Sequence, residues 1–233
     1  MIDYNNQKIE AEQYYNNFKK EIDYKILTKY KDRNFSKVEP MFILSIQEFL
    51  DAINDFFFSQ YMSSTLMCRN VLESSIQLSI FWYYQNKLFS DIGEEGLNGF
   101  SLIVKEMKYF FENISNFDKI CGIAKEKLHI ISEDQKNELK RLRELSNFVA
   151  HRVERIINGP SRINEYNKDM KGINQKINDF VEMALKGNIR SIESARGMIN
   201  GIKMEIQSEE AKQVLDSTKR YLIEIIANSV QYL

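Results

Sequence analysis

Apolar residues recur along this chain at helical spacing, and the gaps between the patterned runs mark out its elements. From about residue 8 to 30, Ile9, Tyr14, Phe18, Ile22, Ile26 and Tyr30 return every four or five positions, which predicts a helix with a leaky apolar stripe. Glu39-Pro40 predicts the next start, because proline is tolerated at a first helical position. Met41 to Phe58 is dense in Phe, Ile and Leu, with Ala52 the small residue among them, and Ser59–Ser63 reads as a tight turn. A second long helix is predicted from about Ser63 to Leu88. It is apolar nearly all round (Leu66, Met67, Val71, Leu72, Ile76, Leu78, Ile80, Phe81, Trp82), the mark of a central, buried element.

Arg69 and Glu73 interrupt that helix one turn apart, on the side of Leu66, Ile76 and Ile80. Arginine before glutamate is the weaker order for an intrahelical pair, so a tertiary role explains them better than helix propensity. Beyond, Gly93, Gly96 and Gly99 with Asn98 predict a loop, and Leu102 to Ile114 a shorter helix. A helical or irregular segment reaches about Ile131. Ser132-Glu-Asp-Gln135 is a capping box that launches a further helix, which stops near Asn158-Gly159-Pro160. Three more helices are predicted over 161–233, broken at Lys186-Gly187-Asn188 and near Gln207-Ser208, where Ser208 would cap the last one. Gly197 and Gly201 predict close helix packing in that part. The fold class expected is all-α: an N-terminal helical extension over 1–38, a helical domain over 39–158, and a C-terminal bundle or partner surface over 159–233.

Composition narrows the chemistry. Only two prolines and nine glycines in 233 residues leave few turn signals and favour long helices. A formal net charge of -1 gives no global basic field, though a local one is compatible with it. Cys68 and Cys121 sit in apolar helical contexts and read as small buried hydrophobes in a reducing compartment. Two cysteines and two histidines, widely separated, make no zinc site, and no metal or cofactor is expected. The polar N-terminus lacks a signal-peptide apolar core, and the apolar-rich run around Ile76 to Tyr84 is too short to span a bilayer, so a cytoplasmic protein without membrane contact is expected. P-loop, dinucleotide-turn and serine-elbow motifs are missing. Phe56–Phe58 and Phe81–Tyr84 fit core or interface packing better than base stacking.

Candidate chemistry concentrates in Arg141–His151. On a helical wheel Leu139, Leu142, Leu145, Ser146, Val149, Val153 and Ile156 share the core face, while Asn147 and His151 point roughly the opposite way with Arg143 one turn before them. An imidazole beside a cation can move a proton while the cation stabilises charge on a phosphate. The same ridge can also be an inert, solvated helix face. His129, before Ile130-Ile131, reads as a packing or capping residue.

Two stretches together carry a family resemblance. Ala52–Glu73 contains a helix, a turn and a second helix with Arg69 and Leu72-Glu73; Leu142-Arg-Glu-Leu-Ser-Asn147-Phe-Val-Ala150-His151 gives a leucine, arginine, small residue, Asn, then Ala-His. In this order and spacing they resemble the HEPN superfamily of all-helical nucleotide-binding domains, in its uncharacterised prokaryotic branch, over about residues 40–158. The resemblance implies a HEPN-like up-and-down bundle with an added N-terminal helix and a C-terminal three-helix extension. It further implies a metal-independent ribonuclease, an effector of a toxin–antitoxin or anti-phage defence system, working as a homodimer whose motif helices form a composite RNA cleft. His151 would be the acid or base for attack by the ribose 2′-hydroxyl and Asn147 its polar companion. Ser146 stands where the family's arginine precedes that polar residue, so Arg143, Arg69 or Arg152 would have to supply the cation, with Glu73 supporting. Two other readings stand beside it: a non-catalytic HEPN module that dimerises or binds RNA, a nucleotide or a partner protein, with Arg69–Glu73 a structural pair; and a helical adaptor that docks a partner through 159–233.

Overall fold

A computed structural model describes residues 4–91, 96–150 and 192–233, and these are helical with no strand among them. We number the helices α1 (Tyr4–Lys29), α2 (Phe35–Val38), α3 (Ile43–Phe57), α4 (Tyr61–Asp91), α5 (Gly96–Glu112), α6 (Phe117–Glu126), α7 (Glu133–Ala150) and α8 (Ile192–Ser229). A 3-10 turn, Glu39–Phe42, carries Pro40 at its start, and another, Val230–Tyr232, follows α8. The all-α expectation holds.

α4 is the central post, contacting α3, α5, α6, α7 and α8. Its first half puts Cys68 and Val71 into a core built with α1, α2, α3 and α8. Its second half puts Leu72, Ile76, Ile80 and Tyr84 into a core built with α5, α6, α7 and the other side of α8. Met62 and Leu66 in its first turns are exposed, as are Asn70 and Asn86 further along. On α1 the buried stripe is Ala11, Phe18, Ile22 and Ile26; Ile9, predicted to belong to it, faces solvent, because a spacing of two places Ala11 rather than Ile9 over the core.

Helix directions follow from the paired residues. Cys68 lies beside Thr218, Ser79 beside Ser229, and Asn86 donates to the Tyr232 carbonyl, so position along α4 and along α8 rises together and the two run parallel. α1 also runs parallel to α8, through Tyr14–Asp216, Glu21–Lys219, Lys25–Glu224 and Lys29–Asn228. α3 is antiparallel to both α1 and α4: Phe18 packs on Phe49 with ring centroids 4.9 Å apart, Ser64 Oγ donates to Ala52 O at 2.7 Å, and Ser45 and Ser74 share a 2.9 Å hydrogen bond. Small side chains line the parallel α4–α8 seam. The hydroxyls of Ser79 and Ser229 lie 2.7 Å apart, within reach of the Ser75 and Ile225 carbonyls, so burying them leaves no oxygen without a partner.

Local signals explain most termini. Ser132 and Gln135 form the predicted capping box reciprocally, Ser132 N to Gln135 Oε1 at 2.7 Å and Gln135 N to Ser132 Oγ at 3.1 Å. The α3–α4 turn is shorter than predicted. Ser59 takes a left-handed conformation (φ 62°), with Ser59 N bonded to Phe56 O and Gln60 N to Asp55 O, the two bonds of a Schellman ending. His129 (φ 53°) turns the chain after α6, returning Ile130 N to Ala124 O; it is exposed and therefore a capping residue rather than a packing one.

Two predicted breaks are corrected. Gly96 and Gly99 lie inside α5 rather than in a loop, since a glycine costs a helix only about 1 kcal/mol and the buried Ile103 and Phe110 anchor this one; Gly93 lies outside the described residues. Gln207-Ser208 does not interrupt α8, which runs unbroken for 38 residues, so Ser208 is not a cap. Neither residue forbids helical geometry, and the stripe that follows (Val214, Leu215, Leu222, Ile225, Ile226) docks on α4. The predicted stop near Asn158-Gly159-Pro160 and the break at Lys186–Asn188 fall outside the described residues. Urea denaturation tests the termini: Ser132→Ala is expected to cost about 1 kcal/mol by loss of the cap, and Ser59→Gly to add up to about 1 kcal/mol by relieving the left-handed penalty.

Candidate functional site

Where α7 crosses α4, three residues of the predicted motif set meet, two from α4 and one from α7. Arg69 and Glu73, one turn apart on α4, pair as Nε to Oε1 at 3.0 Å, and Arg143 of α7 donates its own Nε to the same Oε1 at 2.9 Å. All three side chains are half-buried. The weak Arg-before-Glu order on α4 thus has its tertiary explanation: Glu73 bridges two cations that are too close to coexist in a partly dry site without it. The trio carries a net positive charge, and each guanidinium has five donors in a planar fork.

α6 supplies the floor. The Phe117 ring, buried beneath α7, lies under the Arg143 guanidinium with its centroid 5.0 Å from Cζ. The next residue, Asp118, pairs with Lys140 at 2.9 Å, one turn before Arg143. The Lys140 hydrogen bond holds the Asp118 carboxyl below its ordinary range, and Lys140 is raised by the same bond. Phe117 carries no local sequence signal of this role, because its partner stands more than twenty positions away.

Of the predicted site residues, the structure brings Arg69, Glu73 and Arg143 together. Ser146 and Asn147 lie on α7 within the turn after Arg143. His151 and Arg152 lie outside the described residues. The other histidine, His129, belongs to the α6 ending and not to this cluster. On the opposite side of α7, Glu138 accepts from Tyr221 and from Arg220 at 3.0 Å, which fastens α7 to α8.

The larger concavities are elsewhere. A groove of about 730 Å³ runs between α1 and α8, edged by Tyr24 and crossed by the Lys25–Glu224 and Lys219–Glu21 pairs, so its cations are already engaged. A second of similar volume, apolar and shallow, lies along α5 beside Val104, Met107 and Phe111. In the first the carboxylates of Glu21, Asp216 and Glu224 are each paired with a lysine, and the second is mostly apolar. Among the described residues no cluster of His, Cys, Asp and Glu could hold a metal ion, and no helix is long and apolar enough to cross a membrane. Burial pushes both the Cys68 and the Cys121 thiols up to about 12.

Two outcomes follow. Glu73→Ala leaves two facing guanidiniums and is expected to lower unfolding free energy by about 1–3 kcal/mol, whereas the triple change Arg69→Met, Glu73→Leu, Arg143→Met is expected to recover most of it; urea titrations of both variants check this. Cys68 and Cys121 are expected to resist a thiol reagent at neutral pH in the folded protein and to react on unfolding, followed by absorbance with and without denaturant.

No family model matches the chain, and neither a curated protein nor a solved structure matches it.

Proposed function

We propose that the chain is a HEPN-like protein that acts on RNA as a metal-independent endoribonuclease, an effector of a toxin–antitoxin or anti-phage system, with the α4–α7 ridge as its phosphate-binding surface. One observation carries the reading: Arg69 and Arg143, from helices far apart in sequence, converge on Glu73 and concentrate positive charge on the helix that bears Asn147. A phosphodiester beside this pair gains charge-assisted hydrogen bonds, which strengthen as negative charge builds on its oxygens.

The chemistry assigned is transesterification. The ribose 2′-oxygen attacks the adjacent phosphorus while its proton passes to a base, and the 5′-oxygen of the next nucleotide leaves with a proton, giving a 2′,3′-cyclic phosphate and a 5′-hydroxyl. His151 is the residue assigned to proton movement, Asn147 its polar companion, and Arg143 with Arg69 the stabiliser of phosphate charge. A homodimer would set two such ridges face to face.

The non-catalytic HEPN module is favoured by a specific observation of its own. Arg143 is tied through Nε to Glu73, and Ser146 occupies the position before Asn147, so the cation stands further from His151 in sequence than in active family members. The two readings part in one experiment. Purified protein is incubated with single-stranded RNA in the presence of a chelator, and its oligomeric state is measured alongside. The ribonuclease reading expects cyclic-phosphate products, a fall of roughly 100-fold or more with His151→Ala, and a smaller fall with Arg143→Ala. Binding without cleavage supports the module; cleavage that survives His151→Ala sinks the assignment of His151.

A further inference from the structure

Arg143 leaves α7 where α6 begins, and two elements, α6 and α4, act on its side chain at once. Phe117 is the first residue of α6, a start fixed by Asn116, whose side chain accepts from Lys119 N at 3.2 Å. Its ring is 2% exposed and so cannot turn away without opening the core. The ring supports the guanidinium from below, at 5.0 Å, and Glu73 holds it by Nε from the α4 side. Asp118, on the same turn of α6, fixes Lys140 at 2.9 Å and so holds the preceding turn of α7 against α6.

A planar cation held by one edge can still rotate about that bond. The Phe117 ring, with its centroid 5.0 Å from Cζ, narrows that freedom. Arginine carries about 2 kcal/mol of side-chain rotamer entropy, and a guanidinium already fixed loses less of it when it meets a phosphate. A lysine ammonium has no plane to orient and would gain nothing from the ring's direction.

We propose that Phe117 is a positioning residue whose ring, acting with Glu73, holds the Arg143 guanidinium in the orientation that receives an RNA phosphate on the α4–α7 ridge. The proposal rests on the RNA reading, yet the orientation it requires can be read without any RNA.

The test uses the full chain and the variants Phe117→Leu, Phe117→Met, Phe117→Tyr and Arg143→Lys, with Phe117→Leu/Arg143→Lys as the double variant. Thermal melts identify which variants fold; if Phe117→Leu does not, Phe117→Met takes its place, alone and combined with Arg143→Lys. The first readout is the arginine Nε–H signal that Arg143→Lys removes from an NMR spectrum. It is expected to be shifted upfield by the ring in the wild type and in Phe117→Tyr, and to return toward an ordinary arginine position in the aliphatic variant. The second is affinity for a short single-stranded RNA of mixed sequence. The aliphatic variant is expected to bind roughly two- to fivefold more weakly, the scale of a partly exposed cation–π contact, Phe117→Tyr to restore binding, and the loss to vanish when Arg143 is already lysine.

An Nε–H signal that stays put in the aliphatic variant overturns the role of the ring, as does an equal loss of affinity in the arginine and lysine backgrounds. A wild-type protein that binds no RNA overturns the RNA reading itself, and the position of the Nε–H signal then still tells whether Phe117 orients Arg143.

Discussion

The rest of this molecule depends on covering most of α4. A helix with apolar residues around most of its circumference has little face to give to water, so several neighbours must pack closely on it. One extensive neighbour is α8, which lies parallel to it along a seam of Cys68, Ser75, Ser79, Thr218 and Ser229. Short side chains let the two backbones approach, and the hydroxyls of Ser75, Ser79 and Ser229 bond to carbonyls one turn back or to one another. Since parallel helices cannot be joined by a short turn, the chain must travel round through α5, α6 and α7 before α8 can be laid down. That detour is what places α7 across α4.

The Arg69–Glu73–Arg143 group is where the detour meets the post. Three ionised side chains at a helix crossing are costly to desolvate, and apolar residues would hold the crossing at least as well. Charge retained at such a place, half-buried rather than sealed, is what an anion-binding surface requires. The same contacts also restrict the rotational setting of α7 over α4, because the Arg143 guanidinium both bonds Glu73 through Nε and has its Cζ over the Phe117 ring.

Features written within a few residues were legible in the sequence. Ser132 and Gln135 announced a capping box because both partners lie in one turn, and the density of apolar residues over 63–88 announced a buried helix. Arg69 and Glu73 could be recognised as anomalous, since their order is unfavourable within a helix, but their third partner stands seventy residues from Glu73 and no local rule names it. Phe117 is invisible for the same reason. The errors have a common cause. Glycine at 96 and 99 and Gln-Ser at 207–208 lower helix propensity without forbidding the helix, and packing of Ile103, Phe110 and the α8 stripe outweighs so small a preference. Ser59 adopts a conformation that its residue type disfavours because the Schellman bonds at the α3 end require it.

The pairing of α1 with α8 sets the order in which the protein can be completed. Phe18, Ile22 and Ile26 are fully buried in a core shared with Leu222, Ile223 and Ile226, and Arg33 donates to the Val230 and Leu233 carbonyls at 2.9 Å across a sequence gap of about two hundred residues. At ribosomal rates of 5–20 residues per second, α1 waits on the order of 10–40 seconds for the helix that covers it. Through that interval α1 can pack on α2 and α3, where Phe18 meets Phe35 and Phe49, while the side that α8 covers stays open. The α8-facing side of α1 is thus among the last surfaces to be covered, and a nascent chain cut short before α8 leaves that side exposed.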